Sequence, residues 1–207
     1  MLKLLVCSLA LSLSAPVFSS DDPVALIRES TTELYYLVDE NRSEYEREPA
    51  LLQQKLKEIL GPRMDHLYSA RLVLGRHGRP LEREQIEAFS DALTEVLLRR
   101  YASGLLEFRS PDQVEVLPLA GENTDRMTRV RTRIELDSGN RAPVDYILRR
   151  RDGQWLVFDV IVEGISYVST LRNQINEEIR RDGFDSMMER LQRGELEIEV
   201  DASDSAG

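Results

Sequence analysis

The period of the hydrophobic pattern changes near residue 110 of this 207-residue chain and returns to helical spacing after about residue 165. Before that point, apolar residues recur at three- and four-residue steps, and the longest run has Phe89, Leu93, Leu97 and Tyr101 at four-residue steps. After it, apolar and polar residues alternate, which is typical of strands with one buried face. Helices followed by a run of strands predict an α+β fold.

Helix start and stop signals divide the first half of the chain. Asp22-Pro23 is an N-cap followed by proline at the first helical position, and Gly61-Pro62 is a typical helix end. The polar segment 41–48 is predicted to be a connection, and two further helices are expected after the strands. The predicted helices span 22–40, 49–60, 64–74, 81–108, 166–182 and 184–192.

Four strands are predicted, at residues 113–117, 127–136, 142–150 and 154–162. The turns between the last three are short, so we expect an antiparallel meander. Arg129, Arg131 and Arg133 alternate with apolar residues and indicate a solvated outer face. The predicted fold therefore has several helices on one face of a curved, roughly four-stranded antiparallel sheet.

Residues 1–19 are typical of a cleaved secretory signal peptide, with Lys3, an uncharged apolar run at 4–13 and a break at Ala15-Pro16. We expect a single domain over 20–194 and a disordered acidic tail over 195–207. The only cysteine, Cys7, lies in the predicted leader, so disulfides and thiolate chemistry are excluded from the mature chain.

The net charge is −10, or about −11 once Lys3 is removed with the leader. Such acidity disfavours binding to nucleic acid and to anionic membrane surfaces.

The sequence offers no convincing catalytic constellation. His66 and His77 are eleven residues apart and outside any H-E-x-x-H frame, and Ser166 lacks the second glycine of G-x-S-x-G. Ser166 is better explained as a helix N-cap. Asp159 interrupts an otherwise apolar strand, and we interpret it as a structural hydrogen-bond anchor. We therefore predict no enzyme activity, no metal site and no cofactor.

The remaining indication of function is the large number of apolar residues on the helix stripes and strands. Periodicity alone does not distinguish a solid core from a cavity between helices and sheet, because both use the same residues.

Several segments resemble the toluene-tolerance (MlaC) family. The first are 70–75 and the helix 84–101; the others are Trp-x-x-x-Asp at 155–159 and Glu-Gly-x-Ser at 163–166, followed by Leu171-Arg172-Asn173-Gln174. The two motifs are fairly specific in combination, and the similarity covers nearly the whole mature chain. The charged loop Gly75-Arg76-His77 departs from the family pattern, in which aromatic residues are common there.

The resemblance implies a monomeric periplasmic carrier of phospholipid. Such a carrier moves lipid between an inner-membrane ABC transporter complex, with its substrate-binding subunit, and an outer-membrane lipoprotein–porin complex. This transport maintains outer-membrane lipid asymmetry. The resemblance also implies an apolar cavity between sheet and helices that holds the acyl chains, with phospholipid as cargo and not as a cofactor. The alternatives are a solid-core envelope protein that acts only as an interaction partner in a transport complex, and a small-molecule enzyme on a similar scaffold.

The residues predicted to line that cavity are the inward members of the stripes. They are Leu34, Val38, Leu72, Leu93, Leu97, Tyr101, Leu105, Val130, Tyr146, Leu148, Phe158, Val160, Val168, Leu171 and Ile175.

Overall fold

A computed structural model describes residues 21–121, 123–136, 139–196 and 198. The predicted leader at 1–19 and residues 199–207 of the predicted tail lie outside these residues. No helix in the described ranges is long and apolar enough to cross a membrane.

The first helix, α1 (Pro23–Arg47), begins as predicted, with the Asp22 carboxylate accepting a hydrogen bond of 2.8 Å from Val24 N. The predicted connection at 41–48 is wrong, because the helix continues through it with a kink at Asn41 (φ −129°, ψ 19°). Polar composition suggested a loop, but the segment contains no glycine or proline. It also carries Tyr45, which is 3% exposed and packs against the next helix, so tertiary contact maintains the helix.

Five further helices follow: α2 (Pro49–Leu60), α3 (His66–Leu74), α4 (Arg83–Tyr101), α5 (Tyr167–Asp182) and α6 (Phe184–Gln192). The predicted helix 81–108 is too long, since α4 ends at Tyr101 and a 3-10 segment, Ala102–Glu107, continues the chain. Gly104 lies in that segment, and glycine weakens a regular helix because it loses more backbone freedom on ordering than other residues do.

The sheet has five antiparallel strands in sequence order, which confirms the predicted meander. They are β1 (Val114–Val116), β2 (Met127–Glu135), β3 (Arg141–Arg151), β4 (Gln154–Val162) and β5 (Ile165–Ser166). The two-residue β5 was not predicted. Asp152 and Gly153 join β3 to β4 with φ values of 51° and 83°, the positive values that a tight hairpin turn requires.

The outer face of the sheet carries the alternating arginines, as predicted. Arg129 and Arg133 are exposed, and Arg129 Nε donates to Asp145 Oδ2 at 2.7 Å. The inward residues Val130 and Thr132 on the same strand are buried.

The helices meet the sheet in two places: α1 lies over β1 and β2, and α3 and α5 contact β4. A large apolar cluster joins α3, α4, α5 and α6, with Phe89, Leu74, Met187 and Leu191 fully buried.

The same cluster contains Leu196 (6% exposed) and Ile198 (2% exposed), two residues of the segment predicted to be a disordered tail. These two residues alternate with charged residues in the sequence, so both can point inward although the segment is acidic.

Candidate functional site: an apolar pocket between the first helix and the sheet

A pocket of about 190 Å³ opens between α1 and the first three strands. Its wall is almost entirely apolar. The lining residues are Thr31, Leu34, Tyr35, Val38, Leu105, Phe108, Ser110, Pro111, Val114, Ile134 and Tyr146. Nearly all of them keep part of their surface accessible, whereas Val38 is only 2% exposed.

The α1 wall follows from helix geometry. Thr31, Leu34, Tyr35 and Val38 are spaced i, i+3, i+4 and i+7, so they share one face of the helix. The Thr31 hydroxyl donates to Ile27 O at 2.9 Å, which satisfies the one polar group that the helix brings to this face apart from the Tyr35 hydroxyl.

The sheet wall follows from strand alternation. Val114 on β1 lies opposite Ile134 on β2, and Tyr146 on β3 lies opposite Val130. The ring of Tyr146 packs against the buried cluster of α1 and the sheet, while the side chain keeps some accessible surface at the pocket. Burial raises the pKa of Tyr146 to about 12.

The third wall is the irregular segment from Leu105 to Pro111, which hydrogen bonds attach to α1. The Tyr35 hydroxyl donates to Arg109 O at 3.0 Å, and the Arg42 guanidinium donates to Phe108 O at 2.7 Å and also to Leu106 O. The Gln113 side-chain oxygen accepts from the backbone N–H groups of Arg109 and Ser110, so the turn at the end of this wall is also ordered.

The structure brings four of the predicted lining residues together at the pocket: Leu34, Val38, Leu105 and Tyr146. The others lie elsewhere. Val130, Leu148 and Val160 belong to the cluster of α1 and the sheet, and Phe158 packs on Tyr68 with ring centroids 5.0 Å apart. Leu72, Leu93, Leu97, Tyr101, Val168, Leu171 and Ile175 belong to the helical cluster. Lipid contact by these residues stays a prediction.

Seven of the lining residues are absent from the predicted set. Thr31 and Tyr35 share the stripe of Leu34, and Ile134 is an inward member of β2, so periodicity could have found them. Val114 lies on a three-residue strand, too short to show alternation clearly. Phe108, Ser110 and Pro111 lie in irregular structure, where no periodic signal exists.

Asp159 is the structural anchor that the sequence predicts. Its carboxylate accepts from Ser166 Oγ at 2.6 Å and from Val168 N at 3.0 Å, while Ser166 Oγ accepts from Ser169 N at 3.1 Å. The two side chains therefore cap the start of α5. Within the described part of the chain, no three His, Cys, Asp or Glu side chains cluster in a way that could hold a metal ion.

Comparison with known families adds the decisive observation: the family model described as MlaC protein matches residues 28–193. The chain belongs to the MlaC family. The match begins within α1 and ends just after α6, so it includes every element of the pocket wall.

Two individual proteins resemble this MlaC family member over most of its length. The toluene tolerance protein ttg2D of Pseudomonas putida is 28% identical over 168 residues, which are 81% of this chain and 77% of that protein. A phospholipid-binding protein from Ralstonia solanacearum, solved in complex with a phospholipid at 1.53 Å resolution, superposes with a TM-score of 0.75 at 20% identity. That match covers 84% of this chain and 96% of the other, and it shows a shared fold.

Proposed function

We propose that this protein is a periplasmic phospholipid carrier whose pocket between α1 and the sheet receives the acyl chains of its cargo. The observation that carries the proposal is an apolar pocket with an irregular wall, in a fold shared with a protein solved with a phospholipid. Membership of the MlaC family supports it.

The physical task of such a carrier is to shield hydrocarbon from water. A phospholipid has about 30 methylene groups, and exposing them at ~0.8 kcal/mol each costs on the order of 24 kcal/mol. A pocket that replaces the bilayer makes the transfer from one apolar medium to another nearly neutral, so it removes the aqueous barrier. The carrier itself needs no cofactor, and phospholipid is its cargo.

The volume of the pocket indicates how cargo would enter. At about 190 Å³ it is smaller than the roughly 300–1,000 Å³ typical of small-molecule sites. Acyl chains therefore require it to widen. We propose that the wall from Leu105 to Pro111 moves, because it lies outside the α-helices and the sheet and is attached to α1 by hydrogen bonds from Tyr35 and Arg42.

The proposal extends to partners and compartment. The predicted leader would deliver the protein to the periplasm, where it would act as a monomer. It would exchange phospholipid with an inner-membrane ABC transporter complex, through its substrate-binding subunit, and with an outer-membrane lipoprotein–porin complex. This exchange would maintain outer-membrane lipid asymmetry. The acidic net charge of −10 would limit adhesion to anionic membranes between deliveries.

The test is the lipid that purifies with the protein. The protein is expressed with its own leader in a Gram-negative host and purified from the periplasm, and its organic extract is quantified by mass spectrometry. We expect diacyl phospholipid near one molecule per protein. Leu34→Glu, which places a charge in the pocket, should abolish this bound lipid. The melting temperature should stay close to that of the wild type, because Leu34 is only half-buried.

The matched control is Tyr36→Glu, which places the same charge on the same helix at a side chain that is 54% exposed and does not line the pocket. It should leave the lipid content unchanged. Full lipid content in Leu34→Glu would exclude this pocket as the site. A folded wild-type protein without lipid would reject the carrier and favour the alternative, an interaction partner without cargo.

A further inference from the structure

Tyr146 brings a polar atom into a largely apolar wall. It lies on the central strand β3, between Val130 of β2 and Val160 of β4, and its ring packs against the cluster that includes Leu148 and Trp155. These apolar side chains cannot form a hydrogen bond with the Tyr146 hydroxyl. In the described ranges of the chain, no group forms a hydrogen bond with it.

The other polar groups of the pocket differ from Tyr146 in this respect. The Thr31 hydroxyl donates to Ile27 O, the Tyr35 hydroxyl donates to Arg109 O, and Ser110 Oγ accepts from Asp112 N. Each is engaged by a backbone group close to the pocket rim or on its own helix. Tyr146 therefore contributes a lining hydroxyl that makes no hydrogen bond with any residue the structure describes.

When cargo displaces water from the pocket, a hydroxyl without a partner costs free energy, and an apolar residue of the same shape would avoid that cost. Burial raises the pKa of Tyr146 to about 12, so the hydroxyl stays protonated at every physiological pH and is available as a donor. A donor of this kind recognises an oxygen acceptor on a ligand.

We propose that the Tyr146 hydroxyl donates a hydrogen bond to an ester carbonyl oxygen of the cargo, so that the pocket selects ester-linked over ether-linked glycerolipids. This inference rests on the proposed carrier function. A fatty-acid carboxylate offers the same acceptor chemistry, but its charge would have to be buried against apolar neighbours without a cationic partner, which disfavours it. An uncharged ester carbonyl meets the donor without that penalty.

The test compares lipids that differ only at the carbonyl. Lipid-free mature protein is titrated by calorimetry with dioctanoyl phosphatidylcholine, with its dioctyl ether analogue, and with octanoate. A net intramolecular hydrogen bond corresponds to roughly a 3- to 10-fold change in an equilibrium constant, and we expect the wild type to prefer the ester by that factor.

Tyr146→Phe keeps the ring and removes the donor. We expect it to abolish the preference by weakening ester binding, with ether binding unchanged or slightly tighter. The control is Tyr45→Phe, at a second tyrosine whose pKa burial also raises but which lies outside the pocket. It should keep the full ester preference. Thermal melts confirm that both variants are folded.

Three results would overturn the inference while leaving the carrier intact. One is equal binding of ester and ether by the wild type. Another is an equal loss for both lipids in Tyr146→Phe. The third is binding of octanoate that depends on Tyr146 without any ester preference, which would assign the donor to free fatty acids. If the wild-type protein bound neither phospholipid, the carrier proposal itself would fail.

Discussion

The helical cluster of α3 to α6 and the junction of α1 with the sheet use the same kinds of residue with opposite results. In the cluster, Phe89, Leu74 and Met187 have no exposed surface. At the junction, Leu34, Ile134 and Tyr146 remain partly accessible around a space of about 190 Å³. One interior is filled and the other is hollow.

The difference arises from what closes each interior. Four regular helices, α3 to α6, form most of the cluster, so their side chains can interdigitate. The junction is closed on one side by the irregular segment from Leu105 to Pro111, which begins after α4 has ended at Tyr101. That segment is attached to α1 through backbone carbonyls that accept from Arg42 and Tyr35, and Leu105 and Leu106 pack against the cluster that contains Val38. Irregular structure therefore accompanies the cavity.

The largest expected effect sharpens this contrast. Phe89→Ala removes a side chain with 0% exposure from the filled cluster, and such a change typically lowers the free energy of unfolding by about 3–5 kcal/mol. The lipid content per folded molecule should not change, because Phe89 does not line the pocket. Urea denaturation and lipid quantification on the same preparation measure both quantities.

The matched substitution is Leu34→Ala at the hollow junction. It should lower the free energy of unfolding by less than about 1 kcal/mol, because the side chain is half-buried beside existing empty space. It should also reduce bound lipid. If Leu34→Ala destabilised the protein as much as Phe89→Ala, or if Phe89→Ala released the lipid, the division into filled and hollow regions would be wrong.

The sequence predicts the fold well because the fold depends on the period of the hydrophobic pattern and on the residues that cap helices and form turns. The change of period near residue 110, the N-cap at Asp22 and the short turns between strands determine the helices and the meander. Errors occur where tertiary packing overrides local composition, as at 41–48, where Tyr45 packs on α2 and keeps a polar segment helical. Tertiary packing also buries Leu196 and Ile198, which lie in the segment predicted to be a disordered tail.

The site is less predictable, again for a physical reason. Leu93 on α4 and Leu34 on α1 are both inward members of amphipathic stripes, and no local feature separates the one that packs in a filled cluster from the one that lines a cavity. The distinction depends on Phe108, Ser110 and Pro111, which have no periodic pattern. Resemblance to a family predicts that a cavity exists, whereas its walls become visible only in three dimensions.

The second prediction concerns alkaline pH and the hollow region. The pKa of Tyr146 is about 12 in the folded protein against 10.0 for an unperturbed tyrosine, so between these values the folded state holds a proton that the unfolded state releases. Its contribution to stability is complete below pH 10 and is lost as pH rises toward 12. By pH 11 the loss is roughly 1–1.5 kcal/mol. Urea denaturation from pH 8 to 11 measures it.

Two variants test whether Tyr146 causes this loss of stability at alkaline pH. Tyr146→Phe should flatten this part of the pH dependence, since the titrating group is gone. Phe89→Ala should lower the whole stability curve without changing its slope, because it removes no titrating group. If the slope of the free energy of unfolding against pH were unchanged in Tyr146→Phe, the Tyr146 hydroxyl would be solvated in the folded state and would not be buried in the pocket wall.

The smallest expected effect occurs at acid pH and belongs to the helical region. Burial at the start of α3 is the main cause that lowers the pKa of His66, and Lys57 of α2 lowers it further, while Asp91 of α4 and the adjacent Asp65 oppose the shift. The unfolded state therefore binds a proton more readily, so the stabilising contribution is present above pH 6.5 and is lost as pH falls below it. His66→Gln should flatten the decline in the free energy of unfolding between pH 7 and pH 5, measured with urea.

Bound lipid should stay constant over the same range, because the pocket contains no group that titrates there. A fall in lipid content that disappears in His66→Gln would show that the two regions are coupled, and equal slopes for wild type and variant would show that His66 remains hydrated.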